Sequence, residues 1–266
     1  MKLAFRTIAV AAATLLMSLP VLADWNPGDP FKMHYPQLPD PNGWDVLVRP
    51  PVFVADDFLC TETGPIAGVH LWGSFQRDLV GPLVNVHLSI HADDRTGSFS
   101  KPGALLWSRD FSPNEFTVRQ WGTGDEGWLD PVDGVVLPHD HHGIYQININ
   151  PITVDPFVQQ QGNIYWLDVQ VLSLDSLFGW KTSGSPHFED DAVFGPGDPA
   201  LWHPLVDPNT GQSLDMAFVI VPEPATLVLL MSGVIGVVAL SRRVTVACAC
   251  RALRRKRGSA TTRLRM

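Results

Sequence analysis

The sequence predicts an all-β body, an antiparallel two-sheet sandwich of jelly-roll type, with an N-terminal signal peptide and a single C-terminal transmembrane helix around it. Three observations carry this. Apolar and polar residues alternate with period two in several stretches of the body, the pattern of half-buried strands. Clusters of Gly, Pro, Asp and Asn separate those stretches, as turns do. No apolar stripe at helical spacing runs through the body.

Residues 1–23 read as the signal peptide. Lys2 and Arg6 are positive, Ile8 to Leu19 is uncharged and apolar, and Pro20 breaks the helix before Val21-Leu22-Ala23. A small residue at Ala23 suits signal peptidase, so the expected cut lies between Ala23 and Asp24. Residues 24–50 form a Pro-rich extended lead-in. Prolines at 27, 30, 36, 39 and 41 fix φ and remove donors, so neither helix nor central strand is expected there. Trp25, Tyr35 and Trp44 would strap it over the body.

The sandwich is expected over residues 51–221. In 66–75, Val69, Leu71 and Phe75 share one face, with His70, Trp72 and Ser74 on the other. In 83–91, Val84, Val86, Leu88 and Ile90 alternate with Asn85, His87, Ser89 and His91. Residues 145–149 and 165–171 alternate likewise, and 52–59, 104–111, 115–121, 178–183 and 214–221 are further strand candidates. A body of this size closes a core without disulfides, so Cys60, its lone cysteine, reads as a small buried apolar side chain. No internal repeat is visible, which excludes a propeller or solenoid. Residues 24–221 hold 26 acidic side chains against 8 basic ones. So anionic a body repels phosphate backbones and excludes nucleic acid as a partner.

The end of the chain has its own logic. Val221-Pro222-Glu223-Pro224-Ala225 punctuates, residues 225–240 carry no charge, and Arg242-Arg243 open a basic stretch without an acid. Sixteen residues give roughly 24 Å of helix, close to a bilayer core. The cations place the 244–266 tail in the cytoplasm. Pro222-Glu223-Pro224, the apolar helix and Arg242-Arg243 resemble a PEP-CTERM sorting signal over 222–243. That resemblance implies processing by exosortase, a membrane enzyme, and an exported protein in an exopolysaccharide setting. It is first anchored in the cell membrane, then placed at the cell surface or outside. Cys248-x-Cys250 in the tail reads as a pair of reduced thiols, with lipidation or metal binding as the alternatives.

The body carries a second resemblance. Ala55-Asp56-Asp57-Phe58-Leu59-Cys60, His70-Leu71-Trp72-Gly73-Ser74, Tyr165-Trp166-Leu167-Asp168-Val169 and Gly179-Trp180-Lys181-Thr182-Ser183 are similar to an uncharacterised family of exported planctomycete-type proteins. The resemblance implies fold and location and brings no activity with it.

Candidate chemistry is sparse. Gly122 to Gly127 matches G-x-G-x-x-G, but Asp125 and Glu126 inside it and Pro131 after it oppose a phosphate cradle. His139-Asp140-His141-His142 offers ligands from one segment only, and a closed metal site needs more. It is expected to be a solvated hairpin loop. Asp93, Asp94 and Asp125 are the nominees for a structural Ca²⁺ site, because hard oxygen ligands crowd their loops. Trp72 and Trp166, with Asp168 nearby, could stack on a sugar if exposed, or lie under the lead-in and the 184–213 segment. No nucleophile sits in a recognisable elbow, so no enzyme is expected. The expectation is a non-enzymatic, surface-associated or secreted β-sandwich. The alternative is a carbohydrate-binding module or glycosidase built on exposed Trp and carboxylates.

Overall fold

The computed structural model describes residues 24–197 and 201–222. The signal region through Ala23, the expected membrane helix, and Glu223, Pro224, Arg242 and Arg243 lie outside the described residues. No helix among the described residues is long and apolar enough to cross a membrane. Their one helical element is a 3₁₀ turn, Gln76–Asp78.

The strands in chain order begin with β1 (Trp44–Leu47), β2 (Phe53–Leu59), β3 (Gly64–Pro65), β4 (Gly68–Phe75) and β5 (Leu83–Asp94). Next come β6 (Lys101–Phe111), β7 (Thr117–Asp130), β8 (Val135–Ile149), β9 (Val158–Gln159) and β10 (Ile164–Ser173). Last are β11 (Phe178–Lys181), β12 (Val193–Gly195), β13 (His203–Pro204) and β14 (Phe218–Val221). One six-stranded sheet runs β11-β1-β7-β8-β4-β14, and the other runs β13-β12-β2-β10-β5-β6.

The period-two faces explain why the sheets share a core. Val69, Leu71, Ile147, Ile149, Phe218 and Ile220 of the first sheet join Val54, Phe58, Val86, Leu88, Leu167 and Val169 of the second in one apolar cluster. Burial of this kind contributes about 25 cal/mol per Å² of apolar surface removed from water. The outer faces are covered too. Trp25 of the lead-in packs with Trp72 and Ile144. Trp202 covers Ala55, Trp166 and Val193.

Three expectations need correction. The pairing is not wholly antiparallel, because β1 runs parallel to β7. The lead-in does contain a strand inside a sheet: residues 42–49 hold no proline, so β1 can pair on both edges, with β7 and β11. Residues 139–142 are not a hairpin loop but part of β8.

The first sheet also closes on itself. β11 pairs with β1 on one side and with β4 on the other, so β1, β7, β8, β4 and β11 form a ring of five strands. Glycines permit the closure. A Cβ at Gly73 would run into the Gly179 carbonyl, and one at Gly179 would lie 2.9 Å from the Asp45 backbone and the Trp128 ring.

Candidate functional site

Each strand of the ring sends one polar side chain to a common point. These are Asp45 from β1, Ser74 from β4, Glu126 from β7, His141 from β8 and Lys181 from β11, and all five are sealed from solvent. Their placement follows from register. Asp45 stands opposite Lys181, and Glu126 stands opposite His141. The β7–β8 ladder shifts register on both sides of that second pair. Bulges of this kind re-aim side chains, and here they turn Glu126 and His141 to the same point.

The contacts are short. Lys181 Nζ lies 2.7 Å from Glu126 Oε2 and 3.0 Å from Asp45 Oδ2, and it donates to the Gly43 carbonyl at 3.2 Å. His141 Nε2 lies 2.9 Å from Asp45 Oδ2, and Nδ1 lies 3.1 Å from Asp140 Oδ2. Ser74 Oγ donates to Glu126 Oε2 at 2.8 Å. Asp45 Oδ1 and Glu126 Oε1 have no hydrogen-bond partner among the described residues.

The electrostatics separate the two carboxyls. Burial pushes Asp45 upward, but Lys181 and His141 outweigh it and hold the group below its ordinary range. Burial and the Asp45 charge raise Glu126 to about 7, with Lys181 acting against them. Burial works against a charged His141, yet Asp45, Asp140 and Glu126 keep its pKa above the usual value. One carboxylate stays ionised beside a second that holds a proton near neutrality, the separation that acid–base chemistry exploits.

Asp45, Glu126 and His141 present ligand atoms within 4.8 Å of one another, a donor set suited to Zn²⁺ or Mn²⁺. Lys181 sits on the same two carboxylates and supplies the cation there.

A second group of buried acids lies on the other sheet. Asp56 accepts from Gln37 and from the Met216 backbone, and burial with the Asp215 charge raises it well above its ordinary range. Among the described residues Asp57 has no hydrogen-bond partner for either carboxyl oxygen, and burial and Asp56 push it up to about 10. Burial raises Asp168 also, against the pull of His91, whose Nε2 is 3.6 Å away.

The residues nominated from sequence are placed differently. Trp72 and Trp166 are both fully buried. Trp72 meets Trp25 and Trp121 edge-on, and Trp166 Nε1 donates to Asp93 Oδ1 at 2.9 Å. Neither offers a face to a sugar, and Asp168 is itself buried, so the expected stacking platform is not there. Asp93 and Asp94 lie on β5 and Asp125 on β7, in different sheets, so the three do not converge on one cation. Asp93 is taken up by Ser100, Trp166 and Arg95. Asp94 bonds Thr96, and Asp125 bonds the exposed His139. His139 has a positive φ of 56° and points away from the site that His141 enters.

Of the sorting residues, Pro222 alone is described, immediately after β14. Asp24 is held by Asn148 at 2.9 Å and by Arg119 at 2.9 Å. Asp45, Glu126, Lys181 and Ser74 were not legible as a site. Asp45 and Lys181 are single charges in short apolar stretches, Glu126 stands beside Asp125 in the Gly-rich run, and Ser74 is one of several polar residues on an alternating face.

No curated protein matches the chain, and no solved structure does. Residues 221–243 match the PEP-CTERM protein-sorting motif, the mark of an exported, envelope-targeted protein whose signal exosortase processes. Residues 33–221, which include β1 to β14, match the model for a domain of unknown function, DUF7901, and the chain belongs to that family.

Proposed function

We propose that this chain is a non-enzymatic surface protein that displays its sandwich outside the cell, in an exopolysaccharide matrix. The observation that carries the reading is the junction at Val221. The sorting motif begins there, at the last residue of β14, whose four residues are all buried and paired with β4. A cut near Pro222-Glu223-Pro224 therefore falls just outside the sheet and leaves the fold entire. Residues 1–23 act as the signal that signal peptidase removes. Cleavage before Asp24 leaves a first residue already tied to Arg119 and Asn148. Residues 225–240 cross the membrane and Arg242-Arg243 stop the transfer. The resemblance of the body to exported planctomycete-type proteins supports the same location.

The test is fractionation of producing cells with and without their exosortase, followed by mass spectrometry of the chain's two ends. In cells with the enzyme, the extracellular form should start at Asp24 and lack Arg242 and everything after it. In cells without it, the full C-terminus should stay with the membrane. An extracellular form that keeps the basic tail, or a cytoplasmic body, overturns the reading.

A further inference from the structure

We propose that Lys181 and Asp45 join in an intramolecular isopeptide bond, Nζ of Lys181 to Cγ of Asp45, with Glu126 carrying the protons and one water leaving. The inference stands on geometry inside the five-strand ring and does not depend on where the protein resides.

Register does the positioning. Asp45 and Lys181 are direct partners in the antiparallel β1–β11 ladder, so a short acid and a long amine reach toward each other. Nζ is 3.0 Å from Asp45 Oδ2, an ion-pair contact that holds the amine beside the carboxyl it is to attack. The Gly43 carbonyl, accepting from the same Nζ, fixes its direction.

The surroundings supply the chemistry. The side chains of Asp45, Ser74, Glu126, His141 and Lys181 are sealed, so bulk water is kept from the reacting groups. Glu126 Oε2 lies 2.7 Å from Nζ, and in its ionised form it takes a proton from the ammonium and turns the amine into a nucleophile. Ser74 holds that carboxyl in place. His141 Nε2, 2.9 Å from Asp45 Oδ2, places a donor where negative charge builds as the carbonyl carbon is attacked. Asp140 orients the imidazole from its other nitrogen. Asp45 Oδ1, which has no hydrogen-bond partner among the described residues, is the oxygen that leaves.

The step balances. The ammonium gives one proton to Glu126, and the neutral amine attacks Cγ. The N–Cγ bond forms and the Cγ–Oδ1 bond breaks. A second amine proton and the proton on Glu126 go to Oδ1, which departs as water. One ammonium and one carboxylate become a neutral amide, Glu126 is regenerated, and nothing is oxidised or reduced. A buried ion pair replaced by a neutral group also removes a desolvation cost.

The experiment is mass spectrometry on the full chain as its producing cells make it, each processed form compared with its own sequence mass. The expected result is a mass lighter by one water, and a branched peptide in the digest joining the segment around Asp45 to that around Lys181. Glu126→Gln should restore the unmodified mass, and Lys181→Arg should do the same. If either variant fails to fold, the peptide map of the unaltered protein decides alone. The proposal is overturned by an unmodified mass with Lys181 fully reactive to an amine reagent after denaturation. It is equally overturned by a branch through Glu126, or by a bound metal ion on Asp45, Glu126 and His141 at unmodified mass.

Discussion

Asp45 and Lys181 face each other across two antiparallel strands, with Lys181 Nζ 3.0 Å from Asp45 Oδ2 and both side chains closed off from water. Lys181 serves Glu126 at the same time, so a single cation holds two buried carboxyls. Removing one partner from such a group is costly, because the other charge stays behind without water.

Lys181→Met tests this, since it removes the amine whether that group stands as an ammonium or as the proposed amide. The variant should lose about 3–5 kcal/mol of stability, read from denaturant unfolding of the folded body. A loss under about 1 kcal/mol would mean that water reaches the cluster in solution.

The acids on the second sheet set a pH dependence. Asp57 titrates at about 10 in the folded state, above its ordinary value, so the fold holds a proton that the unfolded chain releases. That stability is complete below the ordinary carboxylate range and is lost as pH rises toward 10. Glu126, raised to about 7, acts in the same direction. His34, which burial lowers to about 4, acts the opposite way, but it is neutral in both states well above its ordinary 6.5. Thermal melts should therefore fall between about pH 7 and pH 9. Asp57→Asn should flatten that fall, gaining about 1 kcal/mol or more over the parent at the alkaline end. Parallel curves for the two proteins would show that Asp57 is ionised throughout.

Trp72 and Trp166 act as core residues. Each replaced by Ala should cost about 3–5 kcal/mol in chemical denaturation. Trp166→Ala also frees Asp93 from its indole donor. Sugar binding lost in a variant that unfolds at the parent's denaturant midpoint would restore the stacking role that burial denies them.

Closure of the ring depends on Gly179. Gly179→Ala places a methyl 2.9 Å from the Asp45 backbone and the Trp128 ring. It should cost about 1–3 kcal/mol, seen as a lower melting temperature. An unchanged melting temperature would mean that β4 and β11 can separate without loss.

Much of the architecture was open to reading from period two. The inward faces of β4, β5 and β10 follow the alternation of Val69 and Leu71, of Val86, Leu88 and Ile90, and of Leu167 and Val169. β1 was hidden because its four residues lie between the prolines at 41 and 50, and local composition outweighed a short paired segment. The first half of β8 was hidden by Pro138 and the polar run after it, which look like a turn. In the fold they are one irregular stretch of a long hairpin strand. The site itself depends on which strands meet in space. Asp45, Glu126, His141 and Lys181 converge only because β11 pairs with both β1 and β4, and no local pattern encodes that closure. Burial of Trp72 and Trp166 likewise depends on Trp25 and Trp202, which lie far off along the chain.

The strap at the start of the body has a consequence for the order of assembly. Lys32 donates its backbone amide to Ile220 and Gln37 donates to Phe218, so the outer edge of β14 is finished by residues from the opposite end of the body. Contacts this distant in sequence form late and slowly. A chain synthesised from its N-terminus holds that strap idle until the last strand has emerged. A truncation before Phe218 leaves both β4 and the strap with open backbone groups, and with them a ready template for sticking to a neighbour.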